Sequence, residues 1–215
     1  VPMRGIPQVG ATGVSRTMSD IMAEEASHAG EPAAPPTLMN ELEGPDRGDL
    51  PQNPASPAVA SIPEMPVDQL IYRPAKQIGF VPYAPQTIGV NFTATNLAAT
   101  GAFPPDNDGA VGPTQYIVAV NGRIISFNKT TGAADGVMNA TTNTFFTSVR
   151  SGSGTSDPMC RYDRLSGRWF ISIINVSTPN RWLLAVSDAA SNGVISGSTV
   201  WTYYFFIPAT TAPTI

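Results

Sequence analysis

The sequence predicts an all-β body preceded by a long irregular arm, and three observations carry that expectation. Charged residues make up 13% of the 215-residue chain, roughly half the usual share. Twenty-one prolines and 19 glycines interrupt it, which favours turns and short strands over long helices. From about residue 89 onward, β-branched and aromatic runs of strand length alternate with turn residues.

The arm spans residues 1–88. Residues 1–72 hold ten acids (Asp20, Glu24, Glu25, Glu31, Glu41, Glu43, Asp46, Asp49, Glu64 and Asp68) against three arginines. Residues 73–215 hold nine bases and six aspartates, so an acidic arm precedes a mildly basic body. Such an arm is either solvated or wrapped on its own body or a neighbouring subunit. One short helix is predicted over 15–29, with Ser15 or Thr17 as N-cap and Gly30 as its stop. Val14, Met18, Ile21 and Met22 would share its apolar face. That face is short, so the helix needs a surface to pack on. Residues 31–66 are proline-rich and read as extended segments with no core of their own. "QLIYRPAKQIGFVPYAPQTIG" is more apolar and reads as a strand-like wrap.

In the body, residues 89–215, "YIVAVNGRIISFN" is the clearest local signal. Two β-prone runs, 116–120 and 123–127, flank Asn121-Gly122, which predicts a hairpin with a type I′ turn. A second unit starts at Asp157. "DPMCRYD", "RWFISIIN", "RWLLAVSD" and "VWTYYFF" read as four strands, and the dense apolar run Trp169 to Ile174 as a strand buried on both faces. The two units line up: each opens with an Asp and a short strand, then a turn and two hydrophobic strands. Their openers, Asp108 and Asp157, lie 49 residues apart. Four strands per unit at a period of roughly 40–50 residues is the signature of β-propeller blades. The expected blades are about 103–150 and 155–207.

"FPPDNDGAVGPTQYIVAVNGRIISFNKTTG", "SDPMCRYDRLSGRWFIS" and "LLAVSDAASNGVISGSTVWTYYF" together resemble the opening blades of a group of secreted bacterial β-propeller proteins. These show PPD-x-x-G-x-VGP, then SDP-x-x-x-YD-x-x-x-x-RW, then a segment near the sialidase-type Asp-box. The likeness covers about residues 90–207. The strict Asp-box is not met, because a longer Ser/Gly-rich run separates Ser187-Asp188 from Trp201. The resemblance therefore implies the fold rather than a sialidase activity. A propeller needs at least four blades. About two blades make an incomplete ring with an open edge. The expected partners are a C-terminal remainder of the propeller or other subunits. The chain also begins with Val and stops at "IPATTAPTI", which predicts a processed product, most simply the N-terminal part of a longer precursor.

Several chemistries are excluded. The single cysteine, Cys160, permits no internal disulfide, thiolate cluster or CxxCH haem site, and reads as a buried structural thiol. The single histidine, His28, lies in the arm, so the body holds neither a Ser-His-Asp site nor a histidine zinc site. No haem, nucleotide or zinc is expected. Without a dense basic stripe, nucleic acid is not an expected partner. No apolar run reaches the ~20 residues of a membrane span. Asn, Thr, Ser and aromatics with few charges fit an exported, extracellular or periplasmic protein.

The remaining candidates for chemistry are few. Asp106, Asn107 and Asp108, followed by Gly109, form the D-x-D-G kernel of a calcium loop. A bare turn into the first strand is the plainer reading, and Ca²⁺ the one cofactor on offer. Asp157 and Asp163 bracket a strand. Both read first as turn residues and second as weak catalytic candidates. Asp157, with its counterpart Asp108, would then face a central channel, where paired carboxylates serve as acid and base in glycoside hydrolysis. Arg161, Arg164, Arg168 and Arg181 cluster in the second unit and either pair with the acidic arm or bind an anionic glycan. Trp182 is a candidate sugar-stacking residue, and with Arg161 and Arg168 makes the ligand set. Two functions follow. One is a secreted propeller that binds or assembles, its arm docked on its own body or a neighbour. The alternative is part of an extracellular hydrolase acting on glycans.

Overall fold

The computed structural model describes residues 12–29, 37–38, 89–177, 180–190 and 192–207. The chain divides into two units, Val1–Met39 with Val90–Ile215, and Asn40–Gly89. Every element below belongs to the first. The wrap expected over 68–88 and most of the proline-rich stretch 31–66 lie outside the described residues.

The fold is mostly β, in two open antiparallel sheets. The N-terminal segment supplies β1 (Val14–Thr17) and α1 (Met18–Ser27), and β2 (Thr37–Leu38) follows. A helical turn, α2 (Leu97–Thr100), and β3 (Ala102–Phe103) lead into the first large sheet. That sheet is β4 (Asp108–Val111), β5 (Gln115–Val120), β6 (Arg123–Asn128) and β7 (Ala134–Ala140), in that order. After α3 (Thr142–Phe145) come β8 (Thr155–Asp163), β9 (Arg168–Asn175), β10 (Trp182–Ser187) and β11 (Val200–Phe206). The second sheet runs β1-β11-β10-β9-β8, so the N-terminal segment adds a fifth strand to it. β2 pairs in parallel with β3.

The strands form where β-branched and aromatic residues alternate with small or polar ones, and the two sheets meet on their apolar faces. Ile117, Ala119, Ile124, Met138 and Ala140 of the first sheet share one buried cluster with Cys160, Trp169, Ile171, Ile173, Leu183, Ala185, Trp201 and Tyr203 of the second. Phe145 and Phe146 complete it, with Phe145 edge-on to Trp201 at 5.1 Å and to Tyr203 at 5.5 Å. Fit is close enough that a Cβ on Gly112 would collide with the Trp169 ring.

Three local expectations need correction. β9 is not buried on both faces: Trp169, Ile171, Ile173 and Asn175 are buried, whereas Arg168, Phe170, Ser172 and Ile174 are half-buried. One face meets the core and the other looks outward. The β5–β6 turn is not type I′, since Gly122 has φ +86° but Asn121 has no positive φ. Asn121 is only 1% exposed and its hydrogen bonds to neighbouring segments, described below, dictate its backbone. The helix is shorter than 15–29, because Val14 and Ser15 are in β1, paired with Tyr203 and Thr202.

Thr17 is the N-cap, and it forms a capping box with Asp20. Its hydroxyl accepts from the Asp20 amide at 3.1 Å, and Asp20 Oδ2 lies 2.6 Å from that hydroxyl. The capping bonds lower the Asp20 carboxyl below its ordinary value, the bond from the Thr17 hydroxyl most of all. Met18 and Ile21 are fully buried in the main core. Glu25 then ties the helix to the first sheet. It pairs with Arg123 at 2.8 Å and accepts from the Thr141 amide at 3.0 Å.

Candidate functional site

The polar junction between the two sheets is built around Asn121. Its Nδ2 donates to the Pro104 carbonyl at 2.9 Å and to Asp106 Oδ2 at 2.5 Å. Its Oδ1 accepts from the Asp157 amide at 2.9 Å and from Ser156 Oγ at 3.4 Å. Its own amide donates to the Pro105 carbonyl at 2.8 Å. One buried side chain therefore joins the loop before β4, the β5–β6 turn and the start of β8. A register shift in β8 between Ser156 and Met159 turns Asp157 out of the ladder toward this junction. Asp106 (φ 40°) and Asp157 (φ 59°) both adopt the left-handed backbone that Asp tolerates better than most residues.

The carboxyl of Asp157 faces that of Asp106. The Asp157 carboxyl is raised above its ordinary value, first by burial, then by the hydrogen bond that its protonated form donates to Asp106, with Ser156 opposing the shift and the Asp106 charge adding to it. A folded-state value above the unfolded one contributes stability that is complete below the unfolded value. It is lost as pH rises through the folded one. At neutral pH the pair therefore repels. Asp157→Asn keeps the left-handed backbone and lets an amide donate to Asp106. It is expected to raise Tm by about 1–3 °C at pH 7 and to give no gain at pH 4. Thermal denaturation at the two pH values checks this, and an equal shift at both would contradict it.

The other candidates take separate partners. Asp108 is spent on structure. Its carboxylate accepts from the Cys160 amide at 3.0 Å, caps the Gly109 amide at 2.7 Å, and pairs with Arg161 at 2.7 Å. Asn107 is exposed and lines a different cleft, and Asp106 faces Asn121. No group of three or more His, Cys, Asp or Glu gathers among the described residues. Asp163 closes its own turn by accepting from the amides of Leu165 and Ser166 and from the Ser166 hydroxyl. Those bonds, the hydroxyl's first, lower its carboxyl. Six residue steps of extended strand, about 20 Å, separate Asp163 from Asp157, so these two candidates stand apart. Burial, with Asp108 adding to it against Arg161, pushes the Cys160 thiol up to about 12, which keeps it protonated and unreactive.

Arg161, Arg168 and Trp182 lie on one face of the five-stranded sheet, the face turned away from the core. Register puts Arg161 opposite Phe170 and Trp182 opposite Ile174 and Phe206. Arg168 donates to the Ser187 carbonyl at 2.9 Å. Trp182 sits some 20 Å along the strands from it, so the three do not surround one small ligand. Arg181 covers the Phe205 ring at 4.3 Å and donates to the Val149 carbonyl. Among the described residues, the arm's acid Glu25 pairs with Arg123, and its acid Glu24 with Arg16, rather than with this arginine cluster.

Asn121 and Ser156 went unread in the sequence, because Asn-Gly signals a turn whatever the side chain does. A buried side chain between two apolar strands is legible only once the loop of prolines 104 and 105 is known to cross it.

Among the described residues no helix is long and apolar enough to cross a membrane. No family model matches the chain, and no curated protein and no solved structure matches it either.

Proposed function

We propose that this chain is a secreted β-propeller binding and assembly unit. Successive antiparallel sheets stack face to face, the N-terminal segment docks on its own body, and the outward face of the five-stranded sheet receives the next sheet. That sheet comes from a continuation of the polypeptide or from another subunit. One observation carries the reading. The outward face presents Phe170, Ile174, Leu184, Tyr204, Trp182 and Phe206, and Trp182 and Phe206 are each 43% exposed. By position in the repeat these strands are the counterparts of β5, β6 and β7, whose corresponding face is buried against the second sheet. Exposed apolar faces of this kind mark interaction surfaces.

The combined Trp182→Glu and Phe206→Glu variant tests the proposal. Sedimentation is expected to show association of the unaltered chain and its loss in the variant. The circular dichroism spectrum and Tm stay within a few degrees, because both side chains are exposed. Association that survives both charges would overturn the reading.

Glycan hydrolysis is less well served. Asp108, the expected partner of Asp157, is held by the Cys160 amide and Arg161 rather than left free as an acid or base. Turnover of a glycan panel that Asp157→Ala abolishes would restore that reading.

A further inference from the structure

A second surface, unrelated to the stacking faces above, has the make-up of a ligand site. The segment around Val90 and Phe92 runs over the far face of the first sheet. It leaves a cleft of about 550 Å³ whose floor includes Val118 and Val120. Two aromatic rings stand in it, Phe92 and Tyr116, edge to face with centroids 6.5 Å apart. Tyr116 lies over Gly109, where an added Cβ would come within 2.9 Å of the Tyr116 hydroxyl and 2.7 Å of the Ile117 carbonyl. Only glycine lets the ring lie that close to the backbone.

The polar groups of the cleft are uncommitted. Thr95 Oγ1 is buried with no hydrogen-bond partner, a state that costs about 1–3 kcal/mol unless something supplies one. Among the described residues no hydrogen bond claims the side-chain amides of Asn91 or Asn107, although both line the cleft. Its charged group, Asp108, is already neutralised by Arg161 at 2.7 Å. An aromatic wall, two free amides, an unpartnered hydroxyl and no free charge describe a site for one chemical class. We infer that this cleft binds an uncharged sugar ring, its C–H face against Tyr116 and Phe92 and its hydroxyls bonded to Asn91, Thr95 and Asn107. The amides both donate and accept, which matches the dual character of sugar hydroxyls. The volume falls within the usual range of small-molecule sites.

Calorimetric titration of the full chain with maltotriose and cellotriose as neutral probes, and with a galacturonate trimer as the charged one, tests the inference. At least one neutral probe is expected to saturate, and the charged probe to bind at least fivefold more weakly. Asn107→Ala, at an exposed position with no internal bond, is expected to leave Tm unchanged and weaken binding at least fivefold. Thr95→Val removes the unpartnered hydroxyl at constant shape. It is expected to hold or raise Tm while weakening binding. Leu165→Ala, at an exposed position outside the cleft, is expected to bind within threefold of the unaltered chain. No saturation by either neutral probe up to about 10 mM, or binding that Asn107→Ala and Thr95→Val leave intact, would overturn it. Both outcomes are independent of whether the outward face associates.

Discussion

Replacing Met18 and Ile21 together by alanine is expected to lower the unfolding free energy by about 4 kcal/mol or more. Both side chains are fully buried, and they enter the same cluster as Phe145, Trp201 and Tyr203. Either change alone falls in the ~2–5 kcal/mol range for large apolar residues cut to alanine, and two neighbours on one helix turn do not add strictly. The loss is a large share of a typical ~5–15 kcal/mol total. It propagates, because α1 holds β1 on the edge of β11 and Glu25 on the Thr141 amide. Once α1 lifts, the β11 edge and the aromatic cluster are uncovered together. Urea denaturation followed by circular dichroism measures the effect, and limited proteolysis within residues 12–29 reports the detachment. Met22 is only half-buried, so Met22→Ala serves as the milder control. A loss below about 1 kcal/mol for the double change would mean that the N-terminal segment rests on the body without supporting it.

The second large effect concerns Asn121. Asn121→Leu keeps the side-chain bulk but removes both donors and the acceptor. It is expected to cost about 3 kcal/mol or more, because each buried partner left unpaired costs about 1–3 kcal/mol. Those partners are the Pro104 carbonyl and the Asp157 amide, with Asp106 losing the donor that faces it. Asn121→Asp is sharper in kind. It places a third carboxyl beside Asp106 and Asp157, so its penalty is expected to be larger at pH 7 than at pH 4, where protonation relieves the crowding. Gly122→Ala makes an independent check on the same turn. Its φ is +86°, and a Cβ there would run into the Thr100 carbonyl. Melting curves at the two pH values read all three variants. A mild, pH-independent loss for Asn121→Asp would show that the junction does not couple its carboxyls.

Most strand positions were legible because alternation and turn residues act locally. β5 and β6 fall where Asn121-Gly122 divides two β-prone runs, and β8 to β11 fall on the four runs read after Asp157. Of the two caps on offer, Ser15 and Thr17, the helix uses Thr17, whose Thr-x-x-Asp spacing satisfies helix donors within a few residues. What escaped the sequence depends on contacts between distant segments. The pairing of β1 with β11 joins residues 187 apart in the chain at Ser15 and Thr202, and no local pattern announces it. The partner of Asp157 is Asp106 rather than Asp108 because Asp108 is drawn to the Cys160 amide and Arg161. Two aspartates with the same local spacing thus play opposite roles, one in repulsion and one in an ion pair. The cleft over β5 was equally illegible, since it exists only where residues 90–95 cross the far side of that sheet.

The central claim, that this chain is one unit of a stacked assembly, is tested most directly by the mass of the native particle. Sedimentation velocity with native mass spectrometry should find the chain in a species larger than its own 22.6 kDa, either self-associated or carrying a further β-sheet partner. A monodisperse 22.6 kDa monomer that melts in one cooperative, reversible transition would contradict it.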